Sequence, residues 1–168
     1  MATRISYKNI NRLESLKNSK KPGLGNLLKV LHLLGEPQFK LGKTIIISGT
    51  NGKGTVANIL NRIYVDSGYK VGLYTSPHLV SLNERIRIRD KKIDSRILDS
   101  YLNKVIKAGL RINCKLSFFE LLTATTILYF AQKKNDLNIF EVGLGGRFDA
   151  TNVIKSKIGI ITNIEMDH

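Results

Sequence analysis

Residues 49–55, Gly-Thr-Asn-Gly-Lys-Gly-Thr, follow directly on the apolar run Ile45–Ile47 and lead into apolar residues at helical spacing. Gly49, Thr50, Asn51, Gly52, Lys53, Gly54 and Thr55 are the residue types that hold a phosphate chain. Glycines let backbone N–H groups turn inward around phosphate oxygens, and the N-terminus of the following helix favours negative charge. A lysine there reaches the outer phosphates, and a threonine hydroxyl can ligate Mg²⁺. The fit to the common phosphate-loop pattern is imperfect, because Ile47 stands where the first glycine belongs and Gly54 separates Lys53 from Thr55. The second chemical cluster is "FEVGLGGRFDATN", residues 140–152. Glu141 ends an apolar strand pattern, where an unpaired carboxylate is costly unless a cation answers it. Gly143, Gly145 and Gly146 permit close backbone approach, and Arg147 and Asp149 can pair with each other or meet a ligand. His78 and His168 stand at the ends of strand patterns, whereas His32 falls within a helical one.

These residues need elements to position them. "KTIIIS", "VGLYTS", "LNIFEVG" and "KIGIITN" read as four apolar strands. Helical spacing covers Asn9–Leu16, Leu24–Leu34, Val56–Tyr64, Asp94–Lys107 with Asp94 or Ser95 as cap, and the markedly apolar Phe118–Lys133. "ERIRIR" alternates as an exposed strand or ribbon does. Strands alternating with helices predict an α/β fold, a mostly parallel sheet with helices on both faces. In such sheets ligands bind beyond the carboxyl ends of the strands. "GTNGKGT", "SPH", "GLGGRFD" and "EMDH" all fall at such ends.

Bulk composition narrows the classes. The 168 residues suffice for one domain with a real core, and 42% hydrophobic with 24% charged residues is a globular composition. No stretch has the length of apolar residues a membrane span needs, and the N-terminus lacks an apolar signal core. Cys114 is the only cysteine, which excludes a disulfide framework and fits a reducing cytoplasm. Lysine and arginine number 27 against 13 acids, a formal +14. These basic residues are scattered and not interleaved with aromatics, so a solvated basic surface is preferred to a nucleic-acid-binding domain. A nucleotide-binding module without catalysis is the other alternative.

Five segments in order, "SGTNGKGT", "YTSPHLVSLNERIRI", "SFFELLTATTILYF", "FEVGLGGRFDATNVI" and "ITNIEMDH", resemble the folylpolyglutamate synthase/dihydrofolate synthase family, a branch of the Mur ligases. "GLGNLLKVLHLLGEPQ" extends the resemblance over essentially the whole chain. The resemblance implies a P-loop-type Mur-ligase ATPase domain that residues 1–168 only begin. It implies an ATP-dependent ligase joining L-glutamate to the carboxylate of a folate or dihydropteroate through an acyl phosphate, with ATP and Mg²⁺ as cofactors. It assigns catalytic roles to Lys53, Glu141 and His168 and nucleotide binding to residues 49–55. Thr55 and Glu141 correspond to ligands of one Mg²⁺, and Ser76, Glu141 and His168 to ligands of a second. The pterin pocket maps onto Phe119, Asp149 and Ala150, with Ser117 nearby. Glu84 and Arg85 fall in the family's mobile loop beside the active site. A cytoplasmic enzyme, monomeric when complete, is implied, with no nucleic-acid or membrane partner. Family members continue past the "DH" motif into the rest of the ATPase domain, a modified lysine and a glutamate-binding domain. This chain therefore reads as a fragment expected not to complete ligation, with strand edges left uncovered.

Overall fold

The computed structural model describes residues 24–165. The helix expected over Asn9–Leu16, together with Asp167 and His168, lies outside the described residues. Helix α1 spans Gly25–Leu33, and a 3₁₀ turn at Pro37–Phe39 leads to strand β1, Lys43–Ser48. Helix α2 (Lys53–Asp66) and strand β2 (Val71–Tyr74) follow. A 3₁₀ turn at Leu82–Arg85 then enters the short strands β3 (Ile86–Ile88) and β4 (Lys91–Lys92). Helices α3 (Ser95–Arg111) and α4 (Phe118–Lys133), strand β5 (Leu137–Glu141), a 3₁₀ turn (Ala150–Val153) and strand β6 (Ile158–Ile161) complete the described chain.

The sheet order is β4-β3-β2-β5-β1-β6. β2, β5, β1 and β6 are mutually parallel, and β3 and β4 add an antiparallel edge. The four apolar strands expected from sequence are thus the parallel ones, and the observed sheet is larger by the β3–β4 hairpin. "ERIRIR" does supply a strand, β3, but not an exposed one: Ile86 is fully buried against β2, and Arg85 is buried at its entrance. The pairing of Ile86 with Tyr74 carries that segment over the core instead.

Period-two alternation sorts the parallel strands between two apolar layers. Ile45, Ile47, Val71, Leu73, Leu137 and Ile139 face α2, whose Ala57 and Leu60 cover them. Tyr74 and Phe140 face the other way, into a larger core built with α1, α3 and α4. Helix α4 is buried on all sides over Leu121–Phe130 because the sheet, α1 and α3 enclose it. Its threonines survive there by hydrogen bonding. Thr125 and Thr126 hydroxyls donate to the Leu121 and Leu122 carbonyls at 2.7 and 2.8 Å, and Thr123 meets the Tyr74 hydroxyl at 3.2 Å. Asp94 caps α3 by accepting from Arg96 and Ile97 N–H groups, and Ser117 with Glu120 forms a capping box on α4. No helix among the described residues is long and apolar enough to cross a membrane.

Candidate active site at the carboxyl ends of the strands

β1 ends at Ser48, and the chain turns through Gly49 (φ +129°) and Gly52 (φ +79°) into α2. A Cβ on Gly49 would lie 2.1 Å from Thr162 Oγ1, so only glycine fits between β1 and the segment after β6. That segment braces the loop. Thr50 N–H donates to the Asn163 carbonyl at 2.9 Å, Asn51 N–H to Asn163 Oδ1 at 2.8 Å, and the Thr162 hydroxyl to the Asn51 carbonyl at 2.6 Å. The Lys53 ammonium folds back onto its own loop, donating to the Gly49 and Thr50 carbonyls at 2.7 and 3.0 Å. An ammonium so held keeps a further N–H for an anion. A cleft of about 560 Å³ opens here, lined by Gly49, Thr50, Lys53, Gly143, Gly145 and Asn163.

Glu141 is the last residue of β5, in register with Ile47 of β1, and is 4% exposed. Its alternation puts it on the same side as Leu137 and Ile139, beneath the start of α2. Ser76 N–H donates to Glu141 Oε2 at 2.8 Å, and among the described residues Oε1 accepts no hydrogen bond. Burial pushes the Glu141 carboxyl above the ordinary carboxylate range, against the opposing pull of the Ser76 N–H and of the Lys53 and Arg85 charges. A Cβ on Gly54 would sit 3.3 and 3.6 Å from the two carboxylate oxygens. The glycine after the lysine therefore keeps open the space between α2 and Glu141. These features fit a hard divalent cation: one under-bonded buried carboxylate, the hydroxyl-bearing Thr55 and Ser76 on flanking elements, and open space beside the carboxylate. Among the described residues no cluster of three or more His, Cys, Asp or Glu exists, so phosphate oxygens and water would complete such a shell.

The structure distributes the acceptor-pocket residues differently. Asp149 is 7% exposed, and its carboxylate is committed to its own loop. Oδ2 accepts from Gly143 and Leu144 N–H at 3.0 and 3.1 Å, and Oδ1 from Thr151 N–H and hydroxyl at 2.9 and 2.6 Å. The pairing with Arg147 considered from sequence is replaced by these bonds, and Arg147 is exposed. Phe119 is half-buried and lies under the same loop, where a Cβ on Gly143 would come within 2.6 Å of its ring. Ala150 is buried in the larger core, and the Ser117 hydroxyl caps α4 by accepting from Glu120 N–H at 3.3 Å. Glu84 is likewise structural: its carboxylate accepts from Leu79, Val80 and Ser81 N–H groups and from Lys92, which lowers its pKa to about 2. Thr162 and Asn163 lie within the quoted segment "ITNIEMDH", but motif reading gives them no part in bracing the loop.

No family model matches the chain. Individual relatives do. The dihydrofolate synthase/folylpolyglutamate synthase of Buchnera aphidicola (Acyrthosiphon pisum) is 44% identical over 84% of this chain and 33% of its own length. That of Bacillus subtilis is 37% identical over 91% of this chain and 36% of its own. Escherichia coli FolC in complex with DHPP and ADP superposes with a TM-score of 0.87 at 35% identity, over 95% of this chain and 38% of that one. The chain belongs to the folylpolyglutamate synthase/dihydrofolate synthase family. It matches the N-terminal portion of these proteins and spans about a third of their length. A bifunctional synthase solved with Mn, AMPPNP and L-glutamate bound has the same fold, with a TM-score of 0.86 at 35% identity. Gly54, which intrudes into the common phosphate-loop pattern, faces the carboxylate of Glu141.

Proposed function

We propose that this sequence holds Mg-ATP and activates a folate-type carboxylate in the ATP-dependent addition of L-glutamate. The observation that carries the proposal is Glu141, buried beneath the first turn of α2 and drawn upon by both Lys53 and Arg85. Residues 49–55 would wrap the phosphates, with Lys53 neutralising charge at the outer ones. Thr55, Ser76 and Glu141 would hold the divalent cation, with His168 as a further ligand for a second. Such a cation supplies charge neutralisation between phosphate and incoming carboxylate. Ser117, Phe119, Asp149 and Ala150 shape the acceptor side, Asp149 through the loop it ties rather than by a free carboxylate.

In the reaction, an acceptor carboxylate oxygen attacks the γ-phosphorus and the bond to the β–γ bridging oxygen breaks, releasing ADP. The glutamate amine attacks the resulting acyl phosphate, loses a proton and expels inorganic phosphate, leaving an amide. The protein's part is to bring anions together and screen them, which is positioning and electrostatics. Ligation further requires glutamate binding, which we assign to regions of the relatives outside the matched third. The isolated 168 residues are expected to release no ADP in a glutamate-dependent way.

A chimera tests this reading: residues 24–165 replace the corresponding segment of Escherichia coli FolC. A folded, active chimera that Lys53→Ala inactivates is the expected result. A folded chimera that binds Mg-ATP but does not ligate would overturn it in favour of a nucleotide-binding module.

A further inference from the structure

We propose that Arg85 binds the carboxylate of the acceptor, an inference that rests on the ligase reading above. The observation is a buried cation that has no carboxylate of its own. Arg85 ends the 3₁₀ turn Leu82–Arg85 and is 9% exposed. Among the described residues no Asp or Glu lies within ion-pair distance of it, whereas Arg62, Arg87 and Lys92 each have an acidic partner. Buried charges are normally paired, because desolvation is repaid only by a close counter-charge. Burial draws the Arg85 pKa down, against the opposing pull of Tyr74 and Glu141, so the groups already around the guanidinium do not fully offset its desolvation.

The guanidinium is also held in place. Its Nε donates to His78 Nδ1 at 2.8 Å, and its central carbon lies 5.3 Å from the centroid of the Phe118 ring. The bond to His78 requires the Nδ1 lone pair, which puts the imidazole proton on Nε2. Stacking and the Nε bond fix the plane of the group and leave Nη1 and Nη2 without hydrogen bonds among the described residues. A planar fork with both outer nitrogens available matches a carboxylate.

Topology separates this group from the nucleotide. The phosphate loop leaves β1, Arg85 leaves the β2–β3 connection, and β5 with Glu141 lies between β1 and β2 in the sheet. Lys53 and Arg85 therefore flank Glu141 from opposite sides, and both pull on its charge. Phe118, on which Arg85 stacks, sits between Ser117 and Phe119 at the start of α4, on the acceptor side. The geometry gives Lys53 to the phosphates and Arg85 to the carboxylate that attacks them.

The test is equilibrium binding by this chain of dihydropteroate, of the anilinomethyl pterin that lacks the carboxylate, and of Mg-ATP. The wild-type chain is expected to prefer dihydropteroate by on the order of tenfold to a hundredfold, as a charge-assisted fork would give. Arg85→Gln abolishes that preference, Arg85→Lys restores part of it, and Mg-ATP affinity stays unchanged in both. Equal affinity of the wild-type chain for the two pterins overturns the proposal, as does an Arg85→Gln loss shared by both. A loss confined to Mg-ATP also overturns it and assigns Arg85 to the nucleotide. Should Arg85→Gln not fold, an Arg85→Lys chain with undiminished preference overturns it. Failure of the ligase reading appears separately, as a folded but inactive chimera.

Discussion

At Glu141, a carboxylate is kept beneath α2 at a cost to the unliganded fold. Its folded pKa is raised by burial, so the folded chain binds this proton more tightly than the unfolded chain does. The contribution of Glu141 to stability therefore falls as pH rises from the unfolded value towards the raised folded one. Glu141→Gln should melt higher than the wild-type chain at neutral pH without ligand, while its nucleotide binding no longer responds to Mg²⁺. Thermal melts with and without Mg-ATP check both halves; a lower-melting variant would contradict the first. Glu84 has the opposite sign. Its pKa is lowered to about 2, chiefly by the Leu79 N–H, so its stabilisation is present above the unfolded value and lost as pH falls through about 2. Glu84→Gln should lower the melting temperature at pH near neutrality and have little effect in strong acid. Melting curves across pH would show converging transitions if this holds, and parallel ones if it does not.

Two loops, at different strand ends, depend on contacts that motif reading does not reveal. The phosphate loop is visible in sequence because glycine, lysine and threonine at that spacing have few other uses after a strand. Its bracing by Thr162 and Asn163 is not visible, because ordinary polar residues gain meaning only once β6 lies beside β1. The four parallel strands and the capped helices α3 and α4 were legible, as local periodicity and caps encode them. Strand β3 was legible in the alternation of "ERIRIR", but its burial and its hairpin to β4 were not, because the turn places Arg89 and Asp90 at positive φ (50° and 61°) without the glycine or asparagine that usually marks such turns. Asp149 was legible as important but not for its reason, which is the tying of Gly143, Leu144 and Thr151. Asp149→Ala leaves those N–H groups unpaired near the core, and it should destabilise the chain by about 1–3 kcal/mol. Gly49→Ala should cost at least about 1–3 kcal/mol through its φ and the clash with Thr162. Urea denaturation measures both; a neutral result for either would show that its loop tolerates rearrangement.

Across the molecule, two unequal layers share one sheet. Among the described residues the α1, α3 and α4 side is thick and closed, whereas the other side is covered by α2 alone. Ile158, Ile161 and Ile164 are 52%, 66% and 82% exposed at and beyond β6, which ends the described sheet. An edge strand with exposed branched side chains is a template for association. We expect the 168-residue chain to self-associate on concentration, with Ile158→Lys and Ile161→Lys reducing it. Light scattering over a concentration series checks this, and a monodisperse wild-type sample would contradict it.

On the proposed function, one phosphate loop and the end of β5 together make a site for Mg-ATP. Calorimetric titration of ATP into the chain, with and without Mg²⁺, tests it most directly when repeated on Lys53→Ala and Glu141→Gln. Binding that requires Mg²⁺ in the wild-type chain, disappears with Lys53→Ala and loses its Mg²⁺ dependence with Glu141→Gln is the expected outcome. Binding indifferent to Lys53, or equally Mg²⁺-dependent without the Glu141 carboxylate, would place the nucleotide elsewhere and contradict the claim.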